Sequence, residues 1–185
     1  MGGAPGSIAS GAGRMRMSDS IYPASTPSDF QAFAALVREY VAWCRTRYQH
    51  HAWFVEQVFG HQDLRLELTQ LATEYGPPNG RTLLARSDDQ IYGGGAFRRL
   101  PDGTCEMKRL YVSDRFKGRG TGRRLAEALI DAARTDGFLL MRLDTANLLT
   151  EAIQMYRKLG FRDCAPHRDY PENLRPHLVF MELPL

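Results

Sequence analysis

The segment 104–136 places a strand pattern, a glycine-rich turn and a helix pattern in direct succession. In the turn, Gly118, Gly120 and Gly122 alternate with other residues among several basic side chains, and apolar residues then recur at helical spacing as far as Gly137. The start of a helix exposes unpaired backbone N–H groups, and glycines before it allow a bulky anion to reach them. We therefore expect this turn to bind a phosphate group.

The spacing of the glycines rules out two familiar phosphate motifs. A P-loop needs Gly-x4-Gly-Lys-Ser/Thr, which the turn does not contain. A dinucleotide fingerprint needs Gly-x-Gly-x-x-Gly, whereas the residue three positions after Gly120 is Arg123. The pattern that remains is Lys117-x-x-Gly120-x-Gly122, which follows the strand residues 110–112.

Charge and composition narrow the class of protein. The formal net charge is +3, from 24 basic and 21 acidic residues, which is too weak for a general nucleic-acid binder. No apolar run approaches the roughly 18 residues of a membrane span, and the N-terminus lacks a signal-peptide core. The three cysteines have no metal-binding spacing and suit a reducing compartment. We expect a cytoplasmic protein that binds neither nucleic acid nor a membrane.

The length of the chain favours one domain. A chain of 185 residues with 43% hydrophobic content can build one well-packed core, whereas two independent cores would each be small. Residues 1–17 are rich in glycine, alanine and serine and have almost nothing to bury, so we predict a disordered leader there. We assign residues 18–185 to a single domain.

The first half of this domain begins with helices and continues with strands. After a short strand near 20–25, Thr26 at the N-cap, Pro27 at N1 and Asp29 at N3 mark the start of a helix. A less regular helical region over about 50–75 ends at YGPPNG. The strand patterns RTLLARS, QIYGGGAFRRL and TCEMKRLYV follow, separated by the turns DD and PDG. We expect them to form an antiparallel meander.

The second half alternates helices and strands. After the helix that begins at Gly120, FLLMRLDT is a nearly continuous apolar strand, and a helix over about 150–159 leads to two final strands. This order predicts a mixed α/β layer protein. The run GGGAF at 93–97 weakens its strand, so either a bulge bends the strand there or the backbone approaches a ligand closely; we favour the bulge.

Three motifs together resemble one family. The turn Lys117-x-x-Gly120-x-Gly122 is similar to the Arg or Gln-x-x-Gly-x-Gly or Ala signature of the GNAT superfamily of acetyl-coenzyme A-dependent N-acyltransferases, with Lys117 at the first position. The stretches EMKRLYV and AIQMYRKLGF resemble two further motifs of that family, in the same order and spacing. The resemblance covers about 81–165 and implies a mixed, largely antiparallel central sheet of about six to seven strands with helices on both faces.

The resemblance also implies a cofactor pose. Acetyl-coenzyme A would be the acyl donor, with its pyrophosphate on the turn and its pantetheine along the strand edge. No metal is implied, and the five histidines show no metal-binding spacing. Asn147 follows the apolar strand, although the family's frequent asparagine aligns with Leu149. The implied cofactor-binding residues are Leu110, Tyr111, Val112, Lys117, Gly118, Arg119, Gly120, Thr121, Gly122, Arg123 and Asn147.

Acetyl transfer needs an acid and a base. Tyr156 stands where the family places a tyrosine that protonates the departing sulfur; the alternative is that it packs on its helix and bonds coenzyme A. Glu106 stands where some members carry a base and could act if burial raised its pKa; the alternative is a salt bridge to Lys108 or to a neighbouring strand. Asp144 is a second candidate base.

The acceptor cannot be read from the sequence. We expect a small amine, with a protein N-terminus or lysine as the alternative and a non-catalytic coenzyme A-binding module as a third reading. A small amine predicts a closed pocket roofed by the regions 50–75 and 166–176, whereas a protein acceptor predicts an open groove with acidic flanks. The sequence does not determine the oligomeric state, and a homodimer is one of the alternatives. Candidate acceptor-selecting residues in the second region are His167, Arg168, Asp169, Tyr170 and Glu172.

Overall fold

The structure is a computed structural model that describes residues 19–185, so the predicted leader at 1–17 lies outside the described residues. The strands are β1 (Asp19–Pro23), β2 (Gly80–Ser87), β3 (Gln90–Arg99), β4 (Cys105–Val112), β5 (Leu140–Ala146), β6 (Arg162–Asp163) and β7 (Leu178–Pro184). The helices are α1 (Pro27–Arg47), α2 (Ala52–His61), α3 (Leu64–Glu67), α4 (Leu71–Tyr75), α5 (Thr121–Thr135) and α6 (Thr150–Lys158). No helix within 19–185 has an apolar stretch long enough to cross a bilayer.

The strands form a single sheet. Its order is β1-β2-β3-β4-β5-β7-β6, and every neighbouring pair is antiparallel except β4 and β5. The three consecutive strands β2, β3 and β4 pair with one another, as the turn residues between them predict. The predicted sheet, mixed and largely antiparallel with six to seven strands, is confirmed with seven.

Helices cover both faces of the sheet. Phe33 and Val37 of α1 pack with Leu84 of β2 and with Tyr111 of β4. On the opposite face, Leu125 and its neighbours in α5 pack with the alternate strand residues, such as Leu83 and Val112. The helix α1 starts as predicted, because the Thr26 hydroxyl accepts from the backbone of Asp29 while the Asp29 carboxylate accepts from the backbone of Thr26.

The glycine run in β3 lies between two irregularities of register. On one side, β3 carries an extra residue where it pairs with Ala85 and Arg86 of β2. On the other side, β4 carries an extra residue opposite Gly95, and Arg109 there has a φ of 57°. A Cβ on Gly95 would lie 2.9 Å from the Leu110 side chain and 3.0 Å from that of Leu129. The bulge interpretation is therefore confirmed, and the close approach is made by the protein's own side chains.

Candidate active site

The central strands β4 and β5 separate soon after they meet. Their parallel pairing consists of Cys105 opposite Met141 and Glu106 opposite Arg142. Beyond these residues, β4 has no strand partner on this edge and β5 pairs only with β7 on its other edge, within residues 19–185. A gap with free backbone groups on both sides therefore opens in the middle of the sheet.

A cavity of about 510 Å³ fills this gap. Residues 107–112 of β4 form one wall and residues 143–146 of β5 the other, while helices α1, α2 and α6 contribute side chains around them. The glycine turn lies at one end, and α2 with Lys108 and Asp144 lies at the other. This shape suits an extended ligand whose phosphate end binds the turn and whose reactive end lies between the strands.

The glycine turn presents a row of free donors. Among residues 19–185, the backbone N–H groups of 118–123 have no hydrogen-bond acceptor. Gly118 and Gly120 have φ values of 78° and 75°, and a Cβ added to either would meet nothing within 4 Å. Gly120 is the N-cap of α5 and provides no side-chain cap. The turn therefore combines open space, free N–H groups and the positive end of a helix dipole, which is the arrangement that a phosphate needs.

The basic side chains of the turn are engaged with neighbouring residues. The Lys117 ammonium lies 3.7 Å from the ring centre of Trp43 and forms an ion pair with Asp114. Arg123 pairs with Glu127 at 2.8 Å. Because both pairs are partly exposed, they are weak and a bound phosphate can replace them. The turn's affinity for an anion thus rests mainly on the backbone, which agrees with lysine at the signature's first position.

Most of the predicted cofactor-binding residues line the cavity: Leu110, Tyr111, Val112, Lys117, Gly118, Gly120, Thr121, Gly122 and Arg123. Two do not. Arg119 is exposed with its guanidinium over the ring of Phe116, so it offers the turn its backbone N–H. Asn147 is exposed, and its amide donates to the carbonyl of Pro176 at 3.3 Å. The assignment of Asn147 to pantetheine therefore has no geometric support, because the residue secures the chain before β7.

Tyr156 lies on the cavity wall. It is buried in α6, and its ring centre is 5.7 Å from that of Phe161. Burial raises the pKa of the phenol, and the charge of Asp144 raises it further. No hydrogen-bond partner occupies its hydroxyl among the residues that the structure describes. The residue therefore offers a protonated, unengaged hydroxyl, which a general acid requires.

Glu106 does not meet the condition set for a base. Its side chain is fully buried, does not line the cavity, and lies against Arg98 at 3.1 Å, Arg168 at 3.3 Å, His167 at 3.5 Å and Lys108 at 3.7 Å. Burial raises its pKa, but the charges of Lys108, Arg168 and Arg98, together with the contact with His167, more than offset the effect, so the pKa lies well below its usual value. A carboxylate so stabilised is a poor proton acceptor at neutral pH. The geometry therefore favours the salt-bridge alternative for Glu106 over the role of base.

Asp144 of β5 and Glu151 of α6 are the acidic residues that line the cavity. One oxygen of Asp144 accepts from the Lys108 ammonium at 3.0 Å and the other from the Tyr170 hydroxyl at 2.9 Å. The carboxylate oxygens of Glu106 and Asp144 and a ring nitrogen of His167 lie within 4.8 Å of one another. Since the ammonium of Lys108 lies between the two carboxylates, this group forms an ion-pair network.

The region 166–176 is tied to α2 and its C-terminal end. The Tyr170 hydroxyl accepts from the amide of Gln62 at 2.7 Å, and the Asp169 carbonyl lies 2.9 Å from a ring nitrogen of His61. Farther along, the amide of Asn173 donates to Gln57 at 2.8 Å. These contacts join the two regions to each other, and of the residues that make them only Gln62 lines the cavity.

Sequence reasoning missed the residues that hold the β4 bulge. Arg109 donates to both carboxylate oxygens of Glu67, at 2.8 and 2.5 Å, and the Tyr75 hydroxyl donates to Glu67 at 2.8 Å. This buried group anchors the strand where it turns away from β5. The aromatic wall of Tyr40, Trp43 and nearby rings was also missed, because an aromatic stripe on a helix has the same spacing as a core stripe.

Comparison with known proteins identifies the family. The model of the acetyltransferase (GNAT) family matches residues 45–161. An uncharacterized N-acetyltransferase of Schizosaccharomyces pombe is 33% identical over 171 residues, covering 89% of this chain and 93% of the relative. An IAA acetyltransferase of Azospirillum brasilense is 37% identical over 109 residues, covering 58% of this chain and 70% of the relative.

The fold comparison agrees. The crystal structure of the PaiA N-acetyltransferase of Thermoplasma acidophilum in complex with coenzyme A superposes with a TM-score of 0.65 at 18% identity, covering 91% of this chain and 100% of that one. At this identity the likeness shows the fold alone. The family match and the fungal relative go further, and they show that this chain belongs to the GNAT family of acetyltransferases.

Proposed function

We propose that this protein transfers the acetyl group of acetyl-coenzyme A to the primary amine of a small molecule. The single observation that carries the choice of acceptor is that α2 lines the cavity and is held at its C-terminal end to the region 166–176, where Tyr170 is bonded to Gln62 and Asp169 to His61. A peptide chain would need an extended open groove at this point. A cavity whose wall includes a helix that is held in place favours a compact acceptor instead.

The donor fits the other end of the cavity. The free N–H groups of 118–123 would hold the pyrophosphate of acetyl-coenzyme A, and the unpaired edge of β4 at 107–112 would bond the pantetheine amides. The thioester would then lie between β4 and β5, near Tyr156 and Asp144. In this arrangement residues of β4 and β5 flank the reacting carbonyl on both sides.

The chemistry follows from the two groups on the wall. The lone pair of the amine attacks the thioester carbonyl carbon, so that a C–N bond forms and the C–S bond breaks. The Tyr156 phenol donates its proton to the departing sulfur, which yields the free thiol. We infer that Asp144, which has one cationic partner where Glu106 has three, takes through water the proton that the amine nitrogen loses, and proton exchange with solvent restores both groups. Glu106 stays ionised throughout and holds Lys108, which in turn orients Asp144.

A panel of acceptors tests this proposal. Purified protein is mixed with acetyl-coenzyme A and with small primary amines, or with peptides that present a free N-terminus or lysine, and free thiol is measured. Release with the small amines and not with the peptides supports the proposal. Turnover confined to peptides would make the protein a peptide acetyltransferase. Binding of coenzyme A without turnover of any acceptor would leave the non-catalytic module as the correct reading.

A further inference from the structure

The tyrosines that line the main cavity are Tyr40, Tyr48, Tyr111 and Tyr156. Two of their hydroxyls are engaged, since Tyr48 donates to the Leu148 carbonyl at 3.3 Å and Tyr111 donates to the Glu39 carboxylate at 3.2 Å. Within residues 19–185, the hydroxyls of Tyr40 and Tyr156 have no oxygen or nitrogen partner, and neither oxygen is a sealed, unpaired atom. Two phenols therefore present free hydroxyls to the cavity.

These two phenols come from opposite faces of the sheet. Tyr156 of α6 packs in the cluster that contains α5, whereas Tyr40 of α1 packs with the side chains of the other face. The Tyr40 ring is held by Tyr111 of β4 and Phe59 of α2, with ring centres 5.5 and 5.9 Å away. Since the cavity that both phenols line fills the gap between β4 and β5, a thioester in that gap has one phenol on each side.

The Tyr40 hydroxyl is a proton donor at neutral pH. Burial is the main cause that raises the pKa of this phenol well above its usual value, and the nearby Cys44 and Tyr156 raise it further against the opposing charge of Arg109. The phenol therefore stays protonated. Its polar neighbour on α1 is the Cys44 thiol, one turn later in the helix. Because a thiol sulfur is a weak acceptor, a carbonyl oxygen can replace it.

Thioester aminolysis places negative charge on two atoms in succession. Attack by the amine moves an electron pair of the C=O bond onto the carbonyl oxygen, and the return of that pair expels the sulfur. Tyr156 is the proposed acid for the sulfur. We propose that Tyr40 is a second catalytic residue, whose hydroxyl donates a hydrogen bond to the carbonyl oxygen and stabilises the charge that develops there. The Tyr40 proton stays on the phenol, so the proton balance of the reaction is unchanged.

This inference rests on the proposed position of the thioester between β4 and β5, and it holds for either class of acceptor. Steady-state kinetics with the best acceptor of the panel give the first test. Tyr40→Phe removes the donor and is expected to lower kcat about 100-fold, as for one oxyanion donor, with the affinity for coenzyme A unchanged. The matched control is Tyr48→Phe, which should keep the wild-type kcat because that hydroxyl is engaged with Leu148.

The variant Cys44→Ala separates catalysis from a structural role. It removes the thiol beside the phenol but leaves the phenol in place, so a kcat close to the wild-type value is expected. If the Tyr40 hydroxyl serves only to bond the thiol, Cys44→Ala would reproduce the loss seen in Tyr40→Phe, and the proposal would be overturned.

Infrared spectroscopy tests the contact itself and needs no acceptor. A hydrogen bond to a carbonyl oxygen lowers the stretching frequency of the carbonyl. With bound acetyl-coenzyme A that is isotope-labelled at the carbonyl carbon, the band should lie at a higher frequency in Tyr40→Phe than in the wild type and should be unchanged in Tyr156→Phe. The same band in the wild type and Tyr40→Phe, or a shift in Tyr156→Phe alone, would overturn the proposal.

Two further outcomes are distinct from these. A raised amine KM in Tyr40→Phe, with the wild-type kcat and band, would also overturn the proposal and would make Tyr40 an acceptor-binding residue. Failure of the wild-type protein to bind acetyl-coenzyme A in the same cell would contradict the proposed function itself, and this inference with it.

Discussion

The guanidinium of Arg109 and the carboxylate of Glu67 form a two-point ion pair, and their side chains are only 4% and 7% exposed. This pair holds an arginine in the left-handed region at a φ of 57°, a conformation that costs an L-residue about 1–2 kcal/mol. The bulge it stabilises lies where β4 leaves β5. The opening of the cavity thus depends on a contact between α3 and the central strand.

Removal of this carboxylate should be strongly destabilising. Glu67→Ala leaves a buried guanidinium uncompensated, so we expect the free energy of unfolding to fall by about 3–5 kcal/mol. The control is Glu56→Ala, which removes an ion pair to Arg45 whose side chains are more than half exposed and should cost less than about 1 kcal/mol. Urea unfolding measures both values. Equal losses in the two variants would show that the buried pair does not stabilise the bulge.

Stability should fall at acid pH through Glu106. Its pKa is well below the usual value in the folded protein, whereas in the unfolded chain it lies at about 4.3. The unfolded state therefore binds the proton first, so this contribution is present above about pH 4.3 and is lost as the pH falls through the lower folded value. The urea midpoint, measured between pH 3 and 6, should depend less steeply on pH in Glu106→Gln than in the wild type. The control Glu172→Gln alters an exposed residue and should keep the wild-type dependence on pH. A wild-type dependence in Glu106→Gln would show that the ion pairs of Glu106 do not contribute to stability.

The hydroxyl of Tyr156 should matter for the chemical step. Tyr156→Phe is expected to lower kcat by more than about tenfold while the affinity for coenzyme A is retained. Because burial raises the pKa of the phenol, the wild-type kcat should not decline as the pH approaches 10. Tyr48→Phe is the control, since Tyr48 also lines the cavity but its hydroxyl donates to the Leu148 carbonyl. Similar kcat values for wild type and Tyr156→Phe would contradict the acid role.

Local signals in the sequence predicted the parts of the fold that are local. The capping residues of α1, the hairpin turns of the meander and the glycine turn before α5 each depend on neighbours within a few positions. The family resemblance extended these signals to the sheet order. A salt bridge from Glu106 to Lys108 or to a neighbouring strand was one expectation, but the sequence did not identify Arg98 of β3 as the partner or add Arg168, which lies 62 residues away in the chain. A charge pattern gives no information about which partners a fold brings together.

The bulge in β4 and the ion pair that holds it could not be predicted from the sequence either. Nothing in KRLYV indicates that the backbone of Arg109 adopts a positive φ. Its partner Glu67 lies 42 residues away in an irregular helical region. Asn147 was assigned from its position after a strand, but the chain there turns its amide toward Pro176. In both cases the outcome depends on contacts between distant segments, which spacing rules do not describe.

The most direct measurement is calorimetry of coenzyme A with two glycine variants. Gly120 and Gly103 both have a positive φ, 75° and 83°, and a Cβ on either would meet nothing within 4 Å. Gly120→Glu and Gly103→Glu therefore introduce the same side chain with comparable backbone strain, but only Gly120 belongs to the turn with free N–H groups. Gly103→Glu is expected to bind coenzyme A like the wild type, whereas Gly120→Glu is expected to show no binding. Retained affinity in Gly120→Glu would show that coenzyme A does not bind at the glycine turn.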